Sequence, residues 1–468
     1  MSASFRFSSV NLGCSKNLVD LEFAIGEILK FSDRVPMEYF DDPEDPKAEY
    51  VLVNTCGFLS SAREESEATM RLYDGMGKKI ILMGCYVSVK DDAFLSSLKN
   101  LYAILSFVDY GNIEKMLFGE NPLLGKPGVA KLKNALAQAK EGKLSEYLDK
   151  VATAASAGKS AFVWKGDEVR AYMHAPFRYE YLKIAEGCDN NCTFCIIPKI
   201  RGKQKSRPIA DIVKEVETMV ASGIREIEII SQDTTRYGTD FSGGEPMLME
   251  LLEAIEKIPG DFKFRTFYLY PDVITLSHLD RLASFTKFLP YFDIPFQHSN
   301  PDILKKMGRF YDREHIEKML AAIRSKFPDS FIRTSFIVGF PGEGEAEFAD
   351  LLDFVKRHRF ESVGLFQYHD EPLAASSKLS GKVEEKTARK RVDVLGAAAE
   401  SVYDEQTRAS RGKEFSGYVM DVLDSTVIVR REIRAPEIDE YEEIPFSRVL
   451  SADSNEVGIG SVVRYRAK

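Results

Sequence analysis

Cys188, Cys192 and Cys195 stand in the stretch Glu186-Gly187-Cys188-Asp189-Asn190-Asn191-Cys192-Thr193-Phe194-Cys195, three thiols carried on one short segment. Such a set can hold three irons of a 4Fe-4S cluster and leave the fourth without a protein ligand, a place where a small molecule can bind and be reduced. The competing reading is a structural zinc site. Those sites normally take four ligands, with a two-residue gap inside each cysteine pair, and no fourth Cys or His lies close by in this chain.

The other three cysteines each close a short apolar run: Phe5 to Cys14, Tyr50 to Cys56, and Lys79 to Cys85. Amphipathic stretches lie between them. Asn17 to Lys30 offers Leu18, Leu21, Phe23, Ile25, Ile28 and Leu29 as apolar helix positions, and Ser60 to Met70 follows the second run in the same way. Alternating runs and helices predict a parallel sheet. Ligands of such sheets bind beyond the carboxyl ends of the strands, so Cys14, Cys56 and Cys85 are expected to meet in one crevice. Three unrelated buried cysteines would be the ordinary alternative.

From Phe177 the alternation recurs six times, with strands expected over Tyr181–Ala185, Glu226–Ser231, Phe264–Tyr270, Tyr291–Pro295, Phe331–Val338 and Ser362–Tyr368. Six such units predict an open, partial (β/α) barrel whose chemistry sits at the carboxyl ends of its strands. The Cys188 motif directly follows the first of them. After about Ala409 the pattern changes to short β-type runs, Phe415–Val422, Ser425–Arg430 and Ser461–Arg466, which predict a small antiparallel β-barrel. The segment from Phe118 to Tyr172 reads as a Gly- and Pro-rich loop and then an Ala-, Lys- and Glu-rich helix over Val129–Ala157, an insertion or linker. The expected domains are therefore 1–117, 118–173 as linker, 174–405 and 406–468.

Composition narrows the function classes. With 468 residues, 44% of them hydrophobic and 29% charged, the chain is an ordinary globular protein of about three domains. No run approaches the roughly 18 apolar residues of a membrane span, and the N-terminus lacks the pattern of a secretory signal. Six cysteines suit a reducing compartment, so a cytoplasmic protein is expected. A net charge of -9 argues against a general affinity for nucleic acid.

The Cys-x-x-x-Cys-x-x-Cys spacing, with Phe194 before the last cysteine, resembles the signature of radical S-adenosylmethionine (SAM) enzymes. In that superfamily the open iron chelates the amino and carboxylate groups of SAM, and the resemblance places Phe194 near the adenine. Two cysteine triads, a partial barrel and a terminal β-module together resemble the methylthiotransferases, which carry a second, auxiliary 4Fe-4S cluster and a terminal TRAM domain. The stretches Leu12-Gly13-Cys14-Ser15-Lys16-Asn17-Leu18-Val19-Asp20, Gln232-Asp233-Thr234-Thr235-Arg236-Tyr237-Gly238 and Asp293-Ile294-Pro295-Phe296-Gln297-His298 look most like the ribosomal protein branch.

That branch modifies an aspartate of the twelfth small-subunit ribosomal protein, whereas a sister branch modifies an adenosine of transfer RNA. The resemblance implies that the Cys188/Cys192/Cys195 cluster, reduced by a flavodoxin- or ferredoxin-type donor, cleaves SAM to a 5'-deoxyadenosyl radical. That radical would take hydrogen from an unactivated carbon, a step no acid or base side chain achieves at neutral pH. The Cys14/Cys56/Cys85 cluster would then present methylated sulfur. A non-catalytic iron-sulfur binding module is the alternative of a different class.

Weaker candidates follow from position. Gln232 and Asp233 come after the second barrel strand, where the superfamily holds the SAM amino end, though a hydrogen-bonded loop would look the same. Gly339 to Glu343 comes after the fifth, where Gly339 and Glu343 would lie near the adenosine or only shape a turn. The Gly243-Gly244-Glu245-Pro246 stretch matches a SAM-amine motif but stands far beyond the second strand, and reads as the start of a helix over Met247–Ile258. Lys199, Arg201, Lys203, Lys205 and Arg207 form either a solvated face or a basic rim beside the site. His298 is expected to be packed. Six acidic residues between Glu432 and Glu443, against Arg434 alone, suggest an acidic surface for a basic protein partner rather than for RNA.

Overall fold

The computed structural model describes residues 4–29, 35–106, 113, 116, 117 and 170–468. The helix expected over Val129–Ala157 lies outside these residues. The chain divides into two compact units. One holds the described residues up to Tyr172 together with Lys183–Asn190 and Cys195–Ile212; the other holds Met173–Leu182, Asn191–Phe194 and Val213–Lys468.

In the first unit, strands β1 (Phe5–Asn11), β2 (Met37–Phe40), β3 (Tyr50–Thr55), β4 (Lys79–Gly84) and β5 (Leu101–Leu105) form a parallel sheet in the order β2-β1-β3-β4-β5. β3 is buried along its whole length, and β4 at every position but Lys79. A near-continuous apolar run is what a parallel strand covered on both faces requires. The three expected runs are β1, β3 and β4, while β2 and β5 were not anticipated. The helix Ser15–Leu29 follows β1 and buries Leu18, Leu21, Phe23, Ile25 and Ile28 as expected, but Leu29 is exposed. It also buries Asn17, Asp20 and Glu22, which helical periodicity alone would have assigned to solvent.

Strand β6 (Tyr179–Lys183) begins a six-stranded sheet that continues with β9 (Glu226–Ile230), β10 (Lys263–Thr266), β11 (Phe288–Asp293), β12 (Phe331–Val338) and β13 (Ser362–Gln367). These are neighbours in chain order, and the pairs from β9 to β13 are parallel. Between β6 and β9 lie two short antiparallel strands, β7 (Ala185–Glu186) and β8 (Lys205–Ser206). Helices Ile209–Ala221, Leu248–Glu256, Leu276–Leu282, Arg313–Lys326 and Glu345–His358 separate the strands, so the six expected units are present. The helix expected over Met247–Ile258 spans Leu248–Glu256, with Met247 as its N-cap residue.

A long helix, Glu385–Ser410, leads to the terminal module. That module is a five-stranded antiparallel sheet, β16-β15-β14-β18-β17, built from β14 (Glu414–Val422), β15 (Thr426–Arg431), β16 (Glu442–Pro445), β17 (Val449–Ala452) and β18 (Val462–Arg466). Its core is Val419, Val427, Val429, Ile444, Val463 and Tyr465. Two strands more than the three expected runs complete it. No helix among the described residues is long and apolar enough to cross a membrane.

Candidate iron-sulfur and cofactor site

Each cysteine of the first triad stands just past the carboxyl end of its own strand: Cys14 after β1, Cys56 after β3 and Cys85 after β4. Gly84 makes the last of these placements feasible. It pairs with Thr55 and has φ 93°, a left-handed conformation that lets the chain leave the strand at once. A Cβ there would lie 2.4 Å from the Thr55 carbonyl oxygen.

Asn17 connects two of the sulfurs. Its Oδ1 lies 3.5 Å from Cys14 Sγ and 3.6 Å from Cys85 Sγ. The amide is aimed from behind, because Asn17 Nδ2 donates to the Thr55 carbonyl (3.0 Å) and to Asn54 Oδ1 (3.4 Å). Burial raises the Cys56 thiol and pushes Cys85 up to about 11, in each case against the opposing pull of Arg201.

The three sulfurs do not fall within 4.8 Å of one another. One zinc ion, at about 2.3 Å from each sulfur, would draw them to about 3.8 Å. The donor set of Cys14, Cys56 and Cys85 is all sulfur, as an iron-sulfur cluster requires.

The second triad lies on the segment after β7. Gly187 has φ 75°, and a Cβ there would meet the Lys203 carbonyl oxygen at 2.2 Å. This close approach lets the Cys188 N–H donate to the Gly202 carbonyl (3.1 Å). The backbone N–H of Asn190 points at Cys188 Sγ and that of Ile197 at Cys195 Sγ, both at 3.4 Å. N–H donors of this kind stabilise a metal-bound thiolate.

Cys192 Sγ is 3.4 Å from Tyr270 Oη. Burial pushes the Tyr270 hydroxyl well above its ordinary range, so at neutral pH it keeps its proton and can donate to the sulfur. The Arg309 guanidinium covers the Tyr270 ring at 3.9 Å and the Phe194 ring at 5.9 Å. Arg309 is 6% exposed, and no described residue accepts a hydrogen bond from its Nε or Nη1. Its loop is fixed to the cysteine segment, since the Met307 carbonyl accepts from the Thr193 N–H (3.0 Å) and the Lys306 carbonyl from Thr193 Oγ1 (2.8 Å). Tyr268 and Gln297, just past β10 and β11, both have positive φ (58° and 69°). Such strain collects at the working ends of folds. Arg309 and Tyr270 carry no local sequence signal that would have singled them out.

Phe194 packs among Ile303, Met307 and Phe340. Gln232 follows β9 at the same end. Asp233 is buried and accepts from the Thr235 N–H (3.1 Å) and hydroxyl, with Arg236 Nε at 3.3 Å, so its carboxylate shapes its own loop. Glu343 accepts from the Gly339 N–H (3.0 Å) and from Arg391 (2.9 Å), and lies 3.3 Å from His298 Nε2. His298 is fully buried, as expected. The Gly243–Gly244 stretch is exposed and has open space around it.

The two charged runs are placed differently. The basic run is not one face: Arg201 and Arg207 turn inward, while Lys199, Lys203 and Lys205 are exposed. The acidic stretch is largely engaged within the protein. Glu437 accepts from Tyr181 (2.8 Å), Asp439 from the Ala435 N–H (2.8 Å), Glu440 from Tyr403, Glu442 from Arg431 and Glu443 from Thr426 (3.1 Å). Neutral donors leave the charge on Asp439, Glu440 and Glu443 in place, whereas Arg431 offsets Glu442 and His174 faces Glu437.

Comparisons with known proteins agree with this arrangement. The model of the radical SAM superfamily matches residues 182–355, and that of uncharacterized protein family UPF0004 matches residues 6–106. The ribosomal protein uS12 methylthiotransferase RimO of Dictyoglomus thermophilum is 34% identical over 98% of this chain and 96% of its own length; that of Carboxydothermus hydrogenoformans is 36% identical over 95% and 94%. Among solved structures, the radical SAM methyltransferase TsrM from Kitasatospora setae, with cobalamin and a 4Fe-4S cluster bound, shares the fold with a TM-score of 0.50. It is 13% identical, over 99% of this chain and 88% of that one. With relatives at this identity spanning nearly its whole length, the chain belongs to the RimO family of radical SAM methylthiotransferases, enzymes that work with 4Fe-4S chemistry and SAM.

Proposed function

We propose that this protein methylthiolates the β-carbon of an aspartate in ribosomal protein uS12, acting in the cytoplasm with two 4Fe-4S clusters. The first is held by Cys188, Cys192 and Cys195, the second by Cys14, Cys56 and Cys85. The observation that carries the reading is the placing of Cys14, Cys56 and Cys85 at the ends of three strands, in a chain whose full-length relatives are uS12 methylthiotransferases. The domain plan follows the same reading: residues 1–117 carry the auxiliary site, 118–173 link, 174–405 form the radical SAM domain and 406–468 a TRAM module.

When bound, the clusters and SAM supply the radical chemistry and the sulfur that no side chain provides. The protein's own residues bind and orient. With Cys192 as a ligand thiolate, Tyr270 would donate to its Sγ, and the Tyr270 ring faces Arg309. The buried Arg309 guanidinium, with donors still to be satisfied, suits the carboxylate of SAM. Phe194 offers an apolar surface for the adenine, and Gln232 the neighbouring polar rim. Asp233 and Glu343 shape the loops after β9 and β12, with Gly339 giving the backbone close approach. A flavodoxin- or ferredoxin-type protein delivers the electron.

The test is anaerobic reconstitution with iron and sulfide, followed by reduction with SAM present. A peptide of the uS12 loop and, separately, isopentenylated transfer RNA are then offered and analysed by mass spectrometry. A methylthio mass gain on the peptide aspartate is expected. Gain on the RNA alone would replace this reading with the sister activity, and absence of SAM cleavage would favour a non-catalytic iron-sulfur module.

A further inference from the structure

The short helix Ile197–Arg201 follows Cys195 directly, and its last residue reaches the other cysteine triad. Arg201 Nε and Nη2 each lie 3.4 Å from Cys85 Sγ. Nη2 also donates to Asn17 Oδ1 at 2.8 Å, the oxygen that lies against both Cys14 and Cys85. Nη1 donates to Asp20 Oδ2 (2.8 Å) and to Glu186 (2.9 and 3.0 Å). Lys183 closes the set through Asp20 and Glu186. The Arg201 side chain is 1% exposed.

This arrangement is specific to a guanidinium. Its N–H groups lie in one plane and cannot rotate independently, so anchoring on Asp20, Glu186 and Asn17 fixes the direction of the two that face the sulfur. Arg201 and Lys183 both face Asp20 and Glu186, and what Arg201 delivers to Cys85 is a pair of directed hydrogen bonds together with its charge. Donors to a metal-bound thiolate withdraw electron density and favour the reduced cluster.

We infer that Arg201 is a positioning residue for the auxiliary cluster, holding the iron-bound sulfur of Cys85 and raising the cluster's reduction potential. It does so from the helix that directly follows the last cysteine of the SAM-cluster motif. The inference rests on the reading of Cys14, Cys56 and Cys85 as cluster ligands.

The experiment uses the full chain carrying Cys188→Ala, Cys192→Ala and Cys195→Ala, reconstituted anaerobically so that only the auxiliary site can hold a cluster. Arg201→Lys and Arg201→Gln are added to that background, followed by redox titration with EPR detection and resonance Raman of the Fe–S(Cys) stretch. Arg201→Lys retains the charge but loses the planar fork. The midpoint is expected to move to a more negative value in both variants, further in Arg201→Gln, with iron content retained and the stretch altered. Unchanged midpoint and stretch in variants that hold iron would overturn the role of Arg201. A background chain that binds no iron would instead reject the cluster reading of the triad. Where Arg201→Gln fails to fold, Arg201→Lys carries the test, because it keeps Asp20 and Glu186 paired.

Discussion

Arg430, on β15 of the terminal sheet, places Nη2 2.6 Å and Nη1 2.9 Å from the two carboxylate oxygens of Glu226 on β9, and neither side chain is exposed to solvent. Arg265 on β10 joins the same carboxylate and donates to the carbonyls of Glu432 and Ile433 at 2.7 Å. The terminal sheet is thus keyed to the amino-terminal end of the barrel strands by buried charge. Burial and the neighbouring Glu226 drive Glu228 well above the usual carboxylate range, whereas Arg430 and Arg265 overcome burial and hold Glu226 low.

Removing one partner of such a pair strands the other in a dry interior. Arg430→Ala is expected to destabilise the protein by about 3–5 kcal/mol, since an uncompensated buried charge is far costlier than a lost surface pair. Denaturant unfolding of the purified variant measures it. A loss below about 1 kcal/mol would show that the Arg430–Glu226 pair does not hold the module.

His174 gives this joint a pH dependence. Burial disfavours its imidazolium, but Glu180 and Glu437 outweigh that and push its pKa up to about 10. Because the folded value lies above the unfolded one, the stabilisation is complete below about pH 6.5 and fades as pH rises toward about 10. Over that window the group costs at most about 1.4 kcal/mol per pH unit. The Glu437 carboxylate, lowered by His174 against burial, contributes in the opposite direction, losing its share as pH falls through the acid range. Thermal unfolding from pH 6.5 to 10 should therefore decline more steeply for the parent than for His174→Gln; parallel curves would count against the pairing.

Arg309→Gln removes the buried cation beside Cys192. SAM affinity, measured anaerobically by calorimetry, should weaken by about tenfold or more, equivalent to at least about 1.4 kcal/mol. Iron content should stay unchanged. Unaltered SAM affinity would mean that the guanidinium serves the cluster alone.

Gly187→Ala forces a side chain into the left-handed region and against the Lys203 carbonyl. Reconstituted iron should fall from about eight to about four per chain, as the Cys188 loop is displaced while Cys14, Cys56 and Cys85 keep their places at the ends of other strands. Retention of about eight iron would show that the loop tolerates the shift. The same substitution at Gly84 should act on the Cys85 site instead.

The two cysteine triads and the six strand-helix units were legible in the sequence because thiol spacing and apolar periodicity are local quantities. β3 and β4, which precede Cys56 and Cys85, carry the continuous apolar stretches Tyr50–Val53 and Ile80–Met83 that strands covered on both faces require, whereas β1 before Cys14 mixes Phe5, Phe7 and Val10 with Arg6, Ser8 and Ser9. Edge strands such as β2, Met37–Phe40, are only partly buried and so carry a weak pattern. The polar interior was not legible at all. Asn17 and Asp20 look like the outer face of an amphipathic helix, Arg201 looks like one member of a basic run, and Arg430 ends an ordinary β-type run. Their partners lie far away in sequence: Arg201 is 116 positions from Cys85 and Arg430 is 204 from Glu226. A buried charge is tolerated only when another charge meets it. The sequence alone determined which cysteines are candidates to hold iron and which elements precede them; the tertiary structure alone decided which buried charges surround them, because that pairing depends on where distant segments come to lie.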